Sequence, residues 1–209
     1  MVGKTVLMVE GNDDVHVVKN ICGARDLGKI DEIRPYGGKA TLIEGISVAV
    51  KESDVVALGI VLDADTDIEA SWRSVAHKLT ISGYQNVPQI MPAEGLILPS
   101  PAESLLPKVG VWLMPDNKTP GILEDFLAFL VPPGDLLFAY VRDGIDALPH
   151  NLVRFSHEKK PKTLIHAWLS VQEEPGRPMG QAISAKYLDP NLEHANPFVD
   201  WLRQIFFHA

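Results

Sequence analysis

The sequence predicts an α/β fold in which a mainly parallel sheet is flanked by helices. Short apolar runs rich in β-branched residues alternate, along the first half of the chain, with segments of helical periodicity. Residues 55–62 are apolar without interruption, which is typical of a central parallel strand buried on both faces. Acidic residues follow directly after the apolar runs, where parallel strands present ligand-binding side chains.

Each element of the first half is predicted from its local pattern. A β-branched and apolar run at residues 5–9 predicts the first strand, and residues 30–35 predict the second. Asn12 or Asp13 is expected to cap the first helix, because a short polar side chain accepts hydrogen bonds from free backbone N–H groups. Apolar residues three or four apart predict further helices, and continuous apolar runs predict further strands. These are the helix 39–51, the strand 55–62, the helix 68–81, the strand 109–114 and the helix 122–131.

The second half of the chain is less regular. Prolines restrict residues 89–101, which predicts a short hairpin or an irregular insertion. The later segments are a helical or mixed stretch 135–148, a basic turn 157–162, a helix 163–171, a Gly/Pro-rich loop 174–180 and an amphipathic end 198–207. No linker divides the chain, so we predict a single domain over residues 1–209. Its core covers about 4–131, and a helical C-terminal extension covers about 132–209.

The composition narrows the classes of function. The net charge of −8 argues against broad, non-specific coating of nucleic acid, although clustered metal-binding carboxylates would carry negative charge of their own. The single cysteine, Cys22, excludes an internal disulfide framework and a cysteine-based zinc site. No apolar run approaches the roughly 20 residues that span a bilayer, so we expect a cytoplasmic protein without membrane contact.

Acidic side chains follow three of the predicted strands. Glu10 comes after the first strand, and Asp63 and Asp65 come after the third. Asp116 follows the fourth strand, and Glu124 lies near the start of the next helix. The carboxyl ends of parallel strands meet at one edge of a sheet, so these side chains can converge. Grouped carboxylate oxygens suit Mg²⁺ or Mn²⁺, which can polarise a phosphoryl oxygen or activate a water.

A single aspartate after a strand is ordinarily a turn former or a helix N-cap, and Asp67 and Asp125 are interpreted in this way. The joint occurrence of Glu10, Asp63 and Asp65 at two strand ends favours a functional site instead. Asp63 and Asp65 share a face if the strand continues, because side chains two residues apart point the same way. Metal bound there would activate a scissile phosphate, and Glu10 would ligate the metal or transfer a proton.

These motifs resemble the signature of the Toprim domain, which occurs in topoisomerases, bacterial primases, small ribosomal-RNA maturases and OLD-family nucleases. Glu10 is followed by a glycine, a glycine pair follows the second predicted strand, and Asp63 and Asp65 form an Asp-x-Asp pair. The resemblance covers roughly residues 4–115. It implies a Toprim-like, Rossmann-like fold, in which the glutamate is a general acid/base or a metal ligand and the aspartate pair is the Mg²⁺ site.

The later segments resemble small stand-alone Toprim-related proteins and the OLD-family nuclease domains. OLD-type nucleases add further acidic residues and a lysine after the core. The resemblance therefore implies such roles for Asp116, Glu124 and either Lys160 or Lys162. From the residues alone, the basic cluster around Lys160 and Lys162 is either a solvated turn or a phosphate clamp that stabilises charge in the transition state.

The chain has no room for the additional domains of several Toprim relatives. A topoisomerase needs a domain with a nucleophilic tyrosine, and a primase needs a zinc-binding domain and a polymerase body. The sequence around Lys39 superficially suggests a nucleotide-binding phosphate loop. However, the position five residues before Gly38 is Ile33 instead of glycine, and Lys39 is followed by Ala40 instead of serine or threonine. No ATPase and no nucleotide cofactor site are expected.

The first functional hypothesis is a Mg²⁺- or Mn²⁺-dependent nuclease that acts on DNA or RNA. One alternative is a non-catalytic metal- or nucleic-acid-binding module that works with a separate ATPase. Another is a nucleotidyl transferase or a hydrolase of a small phosphorylated molecule, because the same carboxylates would serve. The apolar residues 201–207 are expected to pack on the domain, and their exposure would instead indicate a homodimer contact.

Overall fold

The computed structural model describes residues 3–102 and 104–207, which contain a five-stranded sheet flanked by helices. The strands are β1 (Lys4–Val9), β2 (Glu32–Pro35), β3 (Val55–Asp63), β4 (Leu96–Leu98) and β5 (Lys108–Met114). Their order is β2-β1-β3-β5-β4, and all neighbours are parallel except β4 and β5. The predicted α/β fold with a mainly parallel sheet is confirmed. The predicted outer limits of the domain, residues 1 and 209, lie outside the described residues.

Eight α-helices occur in the described part of the chain. They are α1 (Asn12–Ala24), α2 (Lys39–Ala49), α3 (Ile68–Ile81), α4 (Leu123–Phe129), α5 (Leu136–Asp146), α6 (Lys160–Ser170), α7 (Met179–Ser184) and α8 (Asn196–Leu202), and a π-helical turn (Arg203–Phe207) follows α8. The helix predicted at 68–81 has the predicted bounds, whereas α7 begins inside the predicted loop 174–180. Within residues 3–102 and 104–207, no helix is long and apolar enough to cross a membrane.

The central strands β1, β3 and β5 are largely buried on both faces, and their successive side chains point to opposite sides of the sheet. In β1, Val6 and Met8 pack with α2 and α3, whereas Leu7 and Val9 pack with α1 and the C-terminal helices. The two resulting hydrophobic clusters form the core of a three-layer arrangement of helix, sheet and helix. Burial on both faces explains why the apolar run of β3 has no polar alternation.

The C-terminal residues complete one face of this core. Trp168, Phe198 and Trp201 are fully buried in the same cluster as residues of β1 and α1. Gly59 in β3 allows the π-helical turn to approach the sheet, since a Cβ atom at this position would lie 2.6 Å from Cζ of Phe206. The expectation that residues 201–207 pack on the domain is confirmed. The predicted core and extension therefore share one hydrophobic core.

We expect Trp201→Ala to lower the free energy of unfolding by about 3–5 kcal/mol, because a large fully buried side chain is removed. The Trp201 ring is stacked on Phe198, and its Nε1–H donates a hydrogen bond to the carbonyl oxygen of Leu96 at 3.1 Å. Urea unfolding followed by circular dichroism measures the loss. Val171→Ala is the matched control, because Val171 is 50% exposed and should change stability by less than about 0.5 kcal/mol. Equal stabilities of the two variants would contradict the packing described here.

Candidate functional site

The strand order places a topological switch between β1 and β3. From β1 the chain passes through α1 to β2 on one side of β1, and it then passes through α2 to β3 on the other side. Because these connections lead in opposite directions, a crevice opens outside the carboxyl ends of β1 and β3, where ligands bind in open α/β sheets. Glu10 follows β1 and Asp63 ends β3, so both residues lie at this crevice.

Hydrogen bonds join Glu10 and Asp63 to the surrounding backbone. The N–H of Asp63 donates to Oε1 of Glu10 at 2.8 Å, and the N–H of Leu123 donates to Oδ1 of Asp63 at 2.9 Å. The N–H groups of Gly37 and Gly38 donate to the carbonyl oxygen of Glu10 at 2.9 and 3.0 Å. Their φ angles of 75° and 134° lie in the region that favours glycine. Four parts of the chain therefore converge here, namely the ends of β1 and β3, the glycine pair and the start of α4.

A cavity of about 290 Å³ lies at this convergence, and we call it the carboxylate cavity. Its lining includes the side chains of Glu10, Asp14, Asp63, Glu124 and Lys162. The structure thus brings together four of the residues that the sequence predicted as site residues. It also adds Asp13, which is exposed, and Asp14, which is buried, and the sequence analysis predicted neither as a site residue.

Asp14 belongs to the cavity because α1 begins one residue earlier than predicted. The N-cap of α1 is Gly11 and not Asn12 or Asp13, so the predicted cap was wrong. Oδ2 of Asp14 accepts a hydrogen bond from the N–H of Gly11 at 3.0 Å, and the side chain is 7% exposed. This bond satisfies the N–H group of the cap residue itself, as the side chain of the third helical residue does in a capping box. The sequence signal that could have indicated Asp14 as a site residue is its position four residues after Glu10.

Burial raises the pKa values of Asp14, Asp63 and Glu10, and neighbouring carboxylates add to each shift. Burial raises the pKa of Asp14 to about 7, and the charges of Glu10 and Glu124 contribute in the same direction. Burial raises the pKa of Asp63 well above its usual range, and the charge of Glu10 adds to the shift. Burial also raises the pKa of Glu10, although the hydrogen bond from the Asp63 N–H opposes the shift. Like charges held together out of water favour protonation or a bound cation.

The two candidate lysines have different positions. Nζ of Lys162 lies 3.3 Å from Oε1 of Glu124, and the Glu124 side chain is 5% exposed. Lys162 therefore places a positive charge at the edge of the carboxylate cavity. Nζ of Lys160 lies 2.5 Å from Oδ1 of Asp146 in α5, and Lys160 does not line the carboxylate cavity. Of the two alternatives that the sequence left open, Lys162 is the residue at the cavity.

Asp65 does not line the carboxylate cavity. The strand β3 ends at Asp63, and Asp65 has a φ angle of 55°, so the strand alternation that would give both aspartates one face does not continue. Oδ2 of Asp65 instead accepts a hydrogen bond from Nζ of Lys39 at 2.6 Å. Its backbone N–H donates to the carbonyl oxygen of Gly121 at 2.9 Å. The prediction that Asp63 and Asp65 share a face required the strand to continue to Asp65, and the strand does not continue that far.

Asp116 also lies away from the residues that line the cavity. Its Oδ1 accepts hydrogen bonds from the N–H groups of Lys118 and Thr119 at 3.0 and 2.8 Å, and from the Thr119 hydroxyl at 3.0 Å. Such bonds form a turn and occupy this carboxylate oxygen. The interpretation of Asp67 as a turn former or a helix N-cap is confirmed, because Asp67 caps α3 by accepting a hydrogen bond from the N–H of Ala70 at 2.8 Å.

A larger groove of about 770 Å³ lies between α4, α5 and α6. Glu124 lines both this groove and the carboxylate cavity, so the two spaces adjoin. Ile122 and Leu164 contribute apolar surface to the groove. Its charged lining is mixed, with the basic residues Arg142, Lys159 and Lys160 and the acidic residues Asp65, Glu124, Asp125, Asp146 and Glu158. The groove is large enough for part of an extended ligand beside the carboxylates.

A family model described as "Protein of unknown function (DUF3226)" matches residues 4–207. The chain belongs to the DUF3226 family. No curated protein and no solved structure matched the sequence. The match spans both the predicted core and the predicted extension of the DUF3226 chain, which agrees with their shared hydrophobic core. Because the family description assigns no activity, the function has to be argued from the site.

The donor atoms of the DUF3226 site suit a hard divalent cation, because they are carboxylate oxygens around one cavity. Burial is the main cause of the raised pKa values of Asp14 and Asp63, and the neighbouring carboxylates add to both shifts. Within the part of the chain that the structure describes, however, no three His, Cys, Asp or Glu side chains are arranged so that they could hold a metal ion together. The residue types therefore suit a divalent cation, whereas their arrangement among the described residues does not assemble a complete ligand set.

Proposed function

We propose that this chain is a Mg²⁺- or Mn²⁺-dependent nuclease that hydrolyses phosphodiesters in DNA or RNA. The observation that carries the proposal is the group of carboxylates Glu10, Asp14, Asp63 and Glu124 around one cavity at the switch point of the sheet. Like charges in a partly buried cavity destabilise the fold, so their presence indicates a functional site. Lys162 at the edge of the cavity supplies the positive charge that phosphate chemistry requires.

The proposal includes a Toprim-like identity for the domain. It is supported by the glutamate after β1, the glycine pair after β2 and the Asp-x-Asp pair after β3, all in the parallel part of the sheet. The resemblance assigns Glu10 as general acid/base or metal ligand, and Asp63 and Asp65 as the Mg²⁺ site. The resemblance implies a lysine after the core in the role that OLD-type nucleases give it, and the position of Lys162 beside Glu124 supports Lys162 over Lys160 for that role.

Each residue of the cavity has a role in this account. Glu10 and Asp63 would hold the metal ion, with Glu124 at the same cavity. When bound, such an ion polarises a phosphoryl oxygen and lowers the pKa of a water molecule. The ammonium group of Lys162 stabilises negative charge that develops on the phosphoryl oxygens. Asp14, with a pKa of about 7, can exchange a proton at its carboxyl group near neutral pH. The neighbouring groove would hold the flanking part of the strand.

Incubation of the protein with plasmid, single-stranded DNA and structured RNA tests the proposal. The expected result is cleavage of at least one substrate in Mg²⁺ or Mn²⁺ and none in EDTA, and the cleaved substrate identifies the class. Absence of cleavage under all conditions would contradict the nuclease proposal. Co-purification with an ATPase would then favour the partner-dependent module, and incorporation of labelled nucleotide would favour a nucleotidyl transferase.

Lys162→Ala is expected to lower the rate of cleavage by roughly 10²- to 10³-fold, because one charged group that stabilises the transition state is lost. The fold should be retained, since the Lys162 side chain is about half exposed. Lys51→Ala is the control, because Lys51 is exposed and lies just after α2, near the opposite, amino end of β3. Initial rates at saturating metal measure the effect. Equal rates for the two variants would show that Lys162 has no part in the reaction.

A further inference from the structure

Asp65 forms an ion pair with Lys39, the first residue of α2, and does not line the carboxylate cavity. Nζ of Lys39 lies 2.6 Å from Oδ2 of Asp65 and 2.6 Å from Oγ of Ser71. The Asp65 side chain is 53% exposed, whereas that of Lys39 is 22% exposed. An ion pair between a half-exposed carboxylate and a more buried cation can open on the side of the carboxylate. Asp65 is therefore the member of the pair that can turn.

Lys39 is held in place from several sides. It is the first residue of α2 and follows the glycine pair, whose N–H groups bind the carbonyl oxygen of Glu10. Ser71, which accepts a hydrogen bond from Lys39, is 5% exposed. The Ser71 hydroxyl lies 2.8 Å from the carbonyl oxygen of Ala64 and 2.9 Å from that of Asp67. The ammonium group is thus a fixed positive charge next to a carboxylate that the metal site lacks.

We propose that Lys39 is a positioning residue that keeps the Asp65 carboxylate out of the carboxylate cavity until a divalent cation binds there. This inference rests on the proposed metal-dependent function. Binding of the cation exchanges the Lys39–Asp65 ion pair for a contact between Asp65 and the metal, and Lys39 retains Ser71 as its acceptor. Because the ion pair has to break, Lys39 lowers the affinity of the site for metal. It also explains why no complete ligand set is assembled among the described residues.

Calorimetric titration with Mn²⁺ tests the proposal in four proteins. These are the wild type, Lys39→Met, Asp65→Asn and the double variant. Lys39→Met should bind Mn²⁺ roughly 3- to 10-fold more tightly than the wild type, which is the range expected from removing one partly exposed ion pair. In the Asp65→Asn background, the same change should tighten binding by a smaller factor than in the wild-type background, because only the general charge of Lys39, which also acts on Glu10, is then removed.

The double variant is needed because removal of any cation near the site also makes the site more negative. Equal tightening with and without Asp65 would mean that Lys39 acts only through its general charge. Arg73→Met is a further control with the same change in charge. Nη1 of Arg73 lies 3.6 Å from Glu69 in an exposed pair on α3, so its loss should change Mn²⁺ affinity by less than about 2-fold. Thermal unfolding confirms that each variant is folded.

The outcomes separate this inference from the proposed function. Unchanged or weaker Mn²⁺ binding by Lys39→Met, or equal tightening in both backgrounds, would overturn the role of Lys39 while leaving the metal site in place. Absence of Mn²⁺ binding by the wild type, Lys39→Met and Arg73→Met alike would overturn the proposed metal site itself. Binding of Mn²⁺ by Lys39→Met and by none of the other proteins would support the inference, because Lys39 would then prevent metal binding in the wild type.

Discussion

Replacement of Asp63 by asparagine is expected to lower metal-dependent cleavage by at least about 10³-fold while leaving the folded state as stable as the wild type or more so. The asparagine Oδ1 can still accept the hydrogen bond from the Leu123 N–H, so the local backbone has no reason to move. The charge that would bind the metal is lost. Burial and the neighbouring carboxylates raise the pKa of Asp63, so its ionised form is unfavourable in the folded protein and the neutral amide removes that repulsion.

The measurement combines initial rates of cleavage with thermal unfolding in metal-free buffer at pH 8. Asp67→Asn is the matched control, because the same chemical change is made two residues after Asp65 and asparagine caps a helix as well as aspartate does. This control should keep both its activity and its melting temperature. Cleavage by Asp63→Asn at the rate of the control would exclude the proposed role of Asp63.

The second large effect is the pH dependence of stability that Asp14 confers. Burial raises its pKa from 3.8 to about 7, so between these values the folded state binds a proton that the unfolded state has lost. The free energy of unfolding therefore decreases as pH rises through this window. Over about three pH units the loss is on the order of 4 kcal/mol. Asp14→Asn should be spared this loss, since its amide is neutral at every pH.

Asp14→Asn is accordingly expected to match the wild type near pH 4 and to be more stable at pH 8, by up to roughly 4 kcal/mol. Urea unfolding at pH 4, 6 and 8 measures the difference. Asp13→Asn is the control, because Asp13 is the exposed neighbour of Asp14 in the first turn of α1. It should show no comparable gain. A gain by Asp14→Asn that is equal at all three pH values would contradict the account of the carboxylate cavity.

The strands of the sheet and the central helices could be predicted because their apolar side chains are buried in the core, and this burial leaves a regular apolar pattern in the sequence. The strand predicted at 55–62 and the observed β3 differ by a single residue, since a run buried on both faces ends where the first charged side chain appears. The predicted helix 68–81 was also correct, because Asp67 caps it and its apolar spacing is regular. Positions at strand ends follow from the same patterns, so Glu10 and Asp63 could be placed at the switch point.

The directions of individual side chains could not be predicted in this way. Asp65 lies two residues beyond Asp63, but its positive φ angle turns the chain out of the strand and towards Lys39. Asp14 was missed because the cap of α1 is Gly11, and a glycine cap has no side chain that marks a helix start. These features depend on contacts between segments that are far apart in sequence or on a single backbone angle. Neither leaves a periodic pattern.

Anomalous diffraction from crystals soaked in Mn²⁺ tests the central claim most directly, because it locates the metal without reference to any substrate. The account predicts a peak in the carboxylate cavity, within bonding distance of carboxylate oxygens of Glu10 and Asp63. It further predicts that the Asp65 side chain has left Lys39 and turned towards that peak. A peak elsewhere in the molecule, or none in the cavity at saturating Mn²⁺, would contradict the assignment of this cavity as the metal centre.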